Sequence, residues 1–300
     1  MGNQYAWFYD VIVAAIALIC IFIGSKKGVL KSVFGFVGIM IAALLSYALS
    51  GALAETISQG VVSNSNSKKI LNNLETEAFI ADYTDYLENM GYSIVVKEEK
   101  VETIFQNGDK NIDDALVKYI NNINGHPVDE KDVLIEKLRE GYAMIVKDIV
   151  SKSLNKYAAK TAEQQILADS SGMQELLPLI MEVDSLRPAS DFIAENYIAP
   201  AYYTIVKLIS FIVMFVLISI FLVFCINAYF GRRENSTIGI SSHVAGGFFG
   251  LLTSVFIIFA VAVSIRIWAI TGNNEMLFFN NDAVDRSFAF KYFYDFANKM

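Results

Sequence analysis

From Ser32 to Ala54 the chain runs for 23 residues without a charged side chain. Wound as a helix, such a stretch is about 35 Å long, enough to cross the roughly 30 Å hydrocarbon core of a bilayer. Three further stretches share its character. Trp7–Ile23 is apolar except for Asp10, Leu208–Ile226 is approached through Tyr202, Tyr203 and Lys207, and Val244–Ile265 leaves through Arg266 and Trp268. Of all 300 residues, 54% are hydrophobic and 18% charged, too little polarity to cover a water-soluble domain of this size.

The first run is the shortest, with only Val11–Ile23 uninterrupted, and a secretory signal is its rival reading. A signal carries positive charge ahead of its apolar core, and Met1–Tyr9 has none. A retained span is therefore expected, with Trp7 and Tyr9 as interfacial anchors. Lys26, Lys27 and Lys31 fill the turn between the first two runs, and Arg232 and Arg233 the turn between the last two. Short loops rich in Lys and Arg stay in the cytoplasm, so these five residues act as cytoplasmic topology determinants. The N-terminus, residues 55–200 and the C-terminus then face outward.

Small residues recur at helix-facing spacing: Gly24, Gly28, Gly35, Gly38, Ala42 and Ser46, then Gly246, Gly250 and Ser254. In lipid, small residues let helix backbones approach closely. Packing within a four-helix bundle and homo-oligomerisation both use such faces. The expected fold is an all-α membrane protein, with four transmembrane helices in two hairpins and a mainly helical extracytoplasmic domain inserted between them. Its parts are a first hairpin (1–54), the inserted domain (55–200), a second hairpin (201–270) and a C-terminal interfacial segment (271–300).

An Asp opening the first span, the turn "GSKKG" and a Gly-studded second span resemble the colicin V production (CvpA) family of bacterial inner-membrane proteins. The stretch "SSHVAGGFFGLLTSVF" is similar to that family too, the likeness covering 7–54 and about 200–270. It implies a multi-pass protein of the bacterial cytoplasmic membrane, associated with toxin production or export and with envelope upkeep. The 146-residue segment 55–200 departs from the family, whose connection there is usually shorter.

That segment holds 14 Lys and Arg against 25 Asp and Glu, while the rest holds 10 against 6. An acidic body between basic-flanked apolar runs excludes nucleic acid as a partner, because phosphate binding needs clustered cations. Residues 58–73 read as a polar linker. Helical patterns follow at 69–90, 111–124 and Asp129–Asp169, the last with Leu134, Leu138, Ile145 and Ile149 on one face and Asp129 as its cap. "YSIVV" (92–96) reads as a strand, and the four prolines, Pro127, Pro178, Pro188 and Pro200, punctuate the helices.

Chemistry is sparse. "DKNIDD" (109–114) starts like a calcium loop, but its sixth position is Asp114 rather than Gly and its twelfth is Ile120 rather than Glu. A solvated turn with helix-capping residues is the better reading. Cys20 and Cys225 lie inside apolar runs, and His126 and His243 fall on opposite sides of the membrane. No hydrolase, nucleotide or metalloprotease motif occurs, so neither a catalytic residue nor a cofactor is expected. Asp10, Lys207 and Arg266 sit at the outer ends of spans, and an ion pair from Asp10 to Arg266 or Lys207 is expected. The leading reading is a non-enzymatic scaffold or accessory factor, embedded in the bilayer and meeting an envelope or secretion protein through residues 55–200. An oligomeric channel or transporter and an extracytoplasmic ligand receptor are the alternatives.

Overall fold

The computed structural model describes residues 5–107, 111–182, 184–230, 239–272 and 279–300. Among these the chain is helical and has no strand. In chain order the helices are α1 (Ala6–Ile57), α2 (Ser63–Leu71), α3 (Thr76–Glu88), α4 (Glu98–Gln106), α5 (Ile112–Asn124), α6 (Lys131–Ser153), α7 (Lys156–Ala168), α8 (Met173–Ile180), α9 (Arg187–Phe192), α10 (Ala199–Phe230), α11 (Ile240–Thr271), α12 (Asn281–Asp285) and α13 (Phe290–Asn298). Three helical stretches are long and apolar enough to cross a membrane: Ala6–Leu71, Arg187–Phe230 and Ile240–Thr271. The chain divides into two compact units, Met1–Thr56 with Tyr203–Met300, and Ile57–Tyr202.

In the first unit, the turn expected over residues 24–31 is reduced to one residue. Helical backbone runs up to Gly28 and on from it, and Gly28 alone departs, at φ 72° and ψ 170°. That region is open essentially only to glycine. On either side of the break α1 meets α11 in opposite order. Cys20, Gly24 and Val29 lie against Gly250, Gly246 and Ser242 in turn. Beyond it, Phe36 packs on Phe249 and Phe256, and Phe34, Gly38 and Tyr47 run beside Phe230, Leu222 and Lys207 of α10. A stripe of small buried residues every fourth position, Gly38, Ala42, Ser46, Ser50 and Ala54, continues down α1. Small side chains on one stripe let neighbouring helices come close where lipid supplies no hydrophobic drive.

The unit Ile57–Tyr202 builds a core around α6. Leu134, Leu138, Ile145 and Ile149 are all buried, as their spacing predicts. At its centre Tyr83 stacks on Tyr142 with ring centroids 4.9 Å apart, and Phe105 leans on both. The helix expected over Asp129–Asp169 is two helices, divided where Asn155 accepts from the Ala158 N–H and starts α7 afresh. Asp129 does not cap α6; it bonds the Tyr92 hydroxyl and, at 2.7 Å, the Lys137 ammonium.

Two other sequence expectations change. "YSIVV" forms no strand: the Ile94 N–H turns back to the Tyr92 carbonyl at 2.8 Å. Ile94 and Val96 point into the core, Val95 is 77% exposed, and the Val96 N–H donates to Glu88 instead of to a neighbouring strand. Residues 58–73 are not a loose linker but a π-turn (Ser58–Val62) followed by α2. Polar residues hold this helix because they are buried with partners. Ser67 donates to Asp191, lies 3.0 Å from the Ser190 hydroxyl, and belongs to a network in which Arg187 grips Asp191 and Asn64. A second π-turn, Ile193–Ile198, precedes Pro200, whose ring and missing N–H disturb the preceding turn.

Candidate functional site

The apolar unit carries few polar side chains, and those that sequence singles out gather at two places. The first is the break at Gly28. In an unbroken helix the Val29 N–H would bond the Ser25 carbonyl. Here Val29 donates to Ser242 Oγ at 3.0 Å, and the Ser25 carbonyl accepts from His243 Nδ1 at 2.7 Å. The Gly24 carbonyl takes the Ser32 hydroxyl at 2.8 Å. Backbone groups exposed by the break are thus met by side chains, as an apolar surrounding requires. His243 has a structural task here, and His126 is an exposed loop residue bonded to Asn124.

Close backbone approach fixes the same region. A Cβ on Gly246 would lie 2.5 Å from the Gly24 carbonyl oxygen, and one on Gly24 would lie 2.9 Å from the Gly250 Cα. Gly24, Gly28, Gly246 and Gly250 therefore act together. Gly38 makes ordinary contact with Leu222 and Ile226, and Gly35 departs from the expectation, since a Cβ there meets nothing within 4 Å. Lys26 sits 4.3 Å above the Phe22 ring, while Lys27 and Lys31 line a cavity beside the break. Arg232 and Arg233 lie outside the described residues.

The second place is α13. Asp10, Lys207 and Arg266 converge there, although not as a mutual ion pair. The Asp10 carboxylate accepts from the backbone N–H groups of Phe288, Ala289 and Phe290 at 2.8, 2.8 and 3.3 Å. Arg266 donates to the Ala297 carbonyl, and Lys207 Nζ reaches the main-chain oxygen of Met300 at 2.6 Å. An acid thus meets the N-terminal end of α13 and two cations meet its C-terminal end, the arrangement that the helix dipole and its unpaired end groups favour. Tyr9, expected at the lipid interface, is instead fully buried and stacked on Phe290 at 5.0 Å. Backbone amides carry no side-chain signature, so sequence showed the charges but not their target.

The failed calcium motif falls partly outside the described residues, at 109–110. Its remainder caps α5: Asn111 accepts from the Asp114 N–H, and Asp113 is buried against Tyr142 and Arg139. Burial pushes the Asp113 carboxyl above the usual carboxylate range, against the pull of Arg139 and the Tyr142 hydroxyl. Among the described residues no cluster of three or more His, Cys, Asp or Glu side chains is placed to hold a metal ion. Compared with family models, curated proteins and solved structures, the chain matches none.

Proposed function

We propose that the chain is a membrane scaffold of four spans in two hairpins, holding the unit Ile57–Tyr202 outside the cytoplasm for an envelope or secretion protein to engage. Reversal of contact order across Gly28 supports two antiparallel spans within α1. The bonds from Val29 to Ser242 and from His243 to Ser25 support a common end for the lysine turn and the start of α11. Short basic loops favour the cytoplasmic side, so that end is read as inner.

One observation carries the scaffold reading: three charges of the apolar helices are spent on fastening the α13 segment. Asp10, Lys207 and Arg266 all bind the backbone of the α13 segment. In pumps and channels such charges line a pathway. A cavity of about 640 Å³ in this unit is walled by side chains such as Leu44, Phe211, Val255, Phe259 and Phe296, a surface suited to hydrocarbon. The likeness of "GSKKG" and "SSHVAGGFFG" to the CvpA family extends the proposal to an accessory role in toxin production or export and envelope upkeep. Reconstituted in vesicles, the full chain is expected to leave imposed potassium and proton gradients standing. Dissipation that scales with protein would replace the scaffold by a pore.

A further inference from the structure

The fastened α13 helix is one wall of a cavity. Its Tyr292, Phe293 and Phe296 enclose about 640 Å³ together with Phe211 of α10 and Phe256 and Phe259 of α11. α1 adds Ala43, Leu44 and Tyr47. Seven of the ten described lining residues are aromatic, against 13% of the whole chain, so the cavity concentrates rings well beyond what composition supplies. The rings meet edge to face, Phe259 with Phe296 at 5.3 Å and with Phe211 at 5.6 Å. Leu44, Val255 and Phe296 are exposed, which opens the cavity toward the side that lipid covers in a membrane.

Such walls select against a plain chain. A saturated chain in a bilayer already lies in hydrocarbon, and it gains little by exchanging one apolar surround for another. A ring gains more, because its face and edge can meet the quadrupoles of the surrounding rings. The volume also falls within the roughly 300–1,000 Å³ of sites that enclose most of a small molecule.

The cavity has a polar end as well. Lys207 Nζ lies 5.6 Å from the centre of the Tyr47 ring, and Lys291 Nζ lies 5.3 Å from that of Tyr292. Both tyrosines are exposed, and each phenol can donate one hydrogen bond. Lys207 is committed to the Met300 oxygen at 2.6 Å, so the phenols supply the polar chemistry here. Away from them the cavity reaches Phe256, which packs on Phe36, about 16 Å before Tyr47 at helical rise. A guest that fits both ends has a flat ring, acceptors on that ring and an apolar tail.

We propose that this cavity binds a quinone-type lipid. Its ring lies among the phenylalanines, Tyr47 and Tyr292 donate to its carbonyls, and its tail leaves past Leu44 and Val255 into the bilayer. The proposal rests on the membrane-spanning reading but not on the scaffold role. The test titrates the full chain, purified in neutral detergent, with decylubiquinone, decylbenzene or oleic acid, reading bound ligand by native mass spectrometry and thermal stability in parallel. Decylubiquinone is expected to bind and to stabilise. Phe259→Leu keeps an apolar side chain but removes a ring, and is expected to weaken binding about two- to tenfold. Tyr47→Phe and Tyr292→Phe keep the rings and remove a donor. Each is expected to weaken decylubiquinone about two- to tenfold and to leave decylbenzene as in the parent. Val255→Trp fills the cavity from an exposed position on its rim and is expected to abolish binding. Phe34→Leu removes a ring that packs on Phe230 instead, and is expected to bind as the parent does. Oleic acid binding as tightly as decylubiquinone, or an equal loss in Phe34→Leu, overturns the proposal. Unchanged decylubiquinone affinity in both tyrosine variants also overturns it, in favour of a site for any aromatic hydrocarbon. Because the readout is ligand binding to the purified chain, these failures are distinct from a failure of the four-span topology.

Discussion

Gly28 and Gly35 lie seven positions apart on α1 and make opposite demands. At φ 72° and ψ 170° a side chain on Gly28 is strained whatever space surrounds it, so Gly28→Ala is expected to cost about 1–3 kcal/mol. Gly35→Ala meets nothing within 4 Å and is expected to be neutral or to stabilise by about 0.5–1 kcal/mol through helix propensity. Thermal unfolding of both variants in one detergent checks the pair. A Gly28→Ala protein as stable as the parent would contradict the backbone account. Ser242→Ala, which orphans the Val29 N–H, is expected to cost about 1–3 kcal/mol. Asp113 behaves differently, because burial raises its carboxyl above 3.8. A raised native value means that its contribution to stability is full below the unfolded value and is lost as pH rises through the native one. Asp113→Asn is therefore expected to flatten the pH dependence of amide exchange in α3 and α6 on the alkaline side of the ordinary carboxylate range. An unchanged profile would remove Asp113 as its source.

At the scale of elements, α13 depends on groups remote in sequence. Asp10→Ala removes the acceptor for three N–H groups at its start, a loss of about 0.5–2 kcal/mol. Trypsin is expected to cut after Lys291 several-fold faster in that variant, with cleavage in Ile57–Tyr202 unchanged. Equal rates at Lys291 would mean that Asp10 does not hold the helix. The same separation explains what was legible beforehand. The one-sided pattern of α6 is local, and Leu134, Leu138, Ile145 and Ile149 are buried as their spacing implies. The break in α1 was visible as glycine and lysine, but its reduction to one residue depends on Ser242 and His243, more than 200 positions away. α2 reads as linker in sequence because "SNSNS" has weak helix propensity, and its support comes from Asp191 and Ser190. "YSIVV" has the β-branched residues of a strand, but it forms none, and its Val96 N–H goes to Glu88.

For the whole molecule, two compact units divide the labour. Ile57–Tyr202 has its own aromatic core, with the Ser67–Asp191–Arg187 network close to where the chain enters and leaves it. The other unit holds apolar helices whose glycine contacts and bonded break lie at one end, while the α13 clamp joins Asp10, Lys207 and Arg266. The central claim is that these helices form four spans with the basic turns inside. The most direct measurement is labelling of single cysteines in intact cells with an impermeant thiol reagent, in a Cys20→Ala, Cys225→Ser background. Lys26, Ser151, Ser241 and Asn298 are all exposed and are the positions to replace. Labelling of Ser151→Cys and Asn298→Cys in intact cells, with Lys26→Cys and Ser241→Cys reacting only after permeabilisation, is the predicted result. Labelling of Lys26→Cys and Ser241→Cys alone would invert the protein and contradict an outward-facing unit. Labelling of Lys26→Cys and Ser151→Cys from the same side would contradict a second span between Gly28 and Ala54.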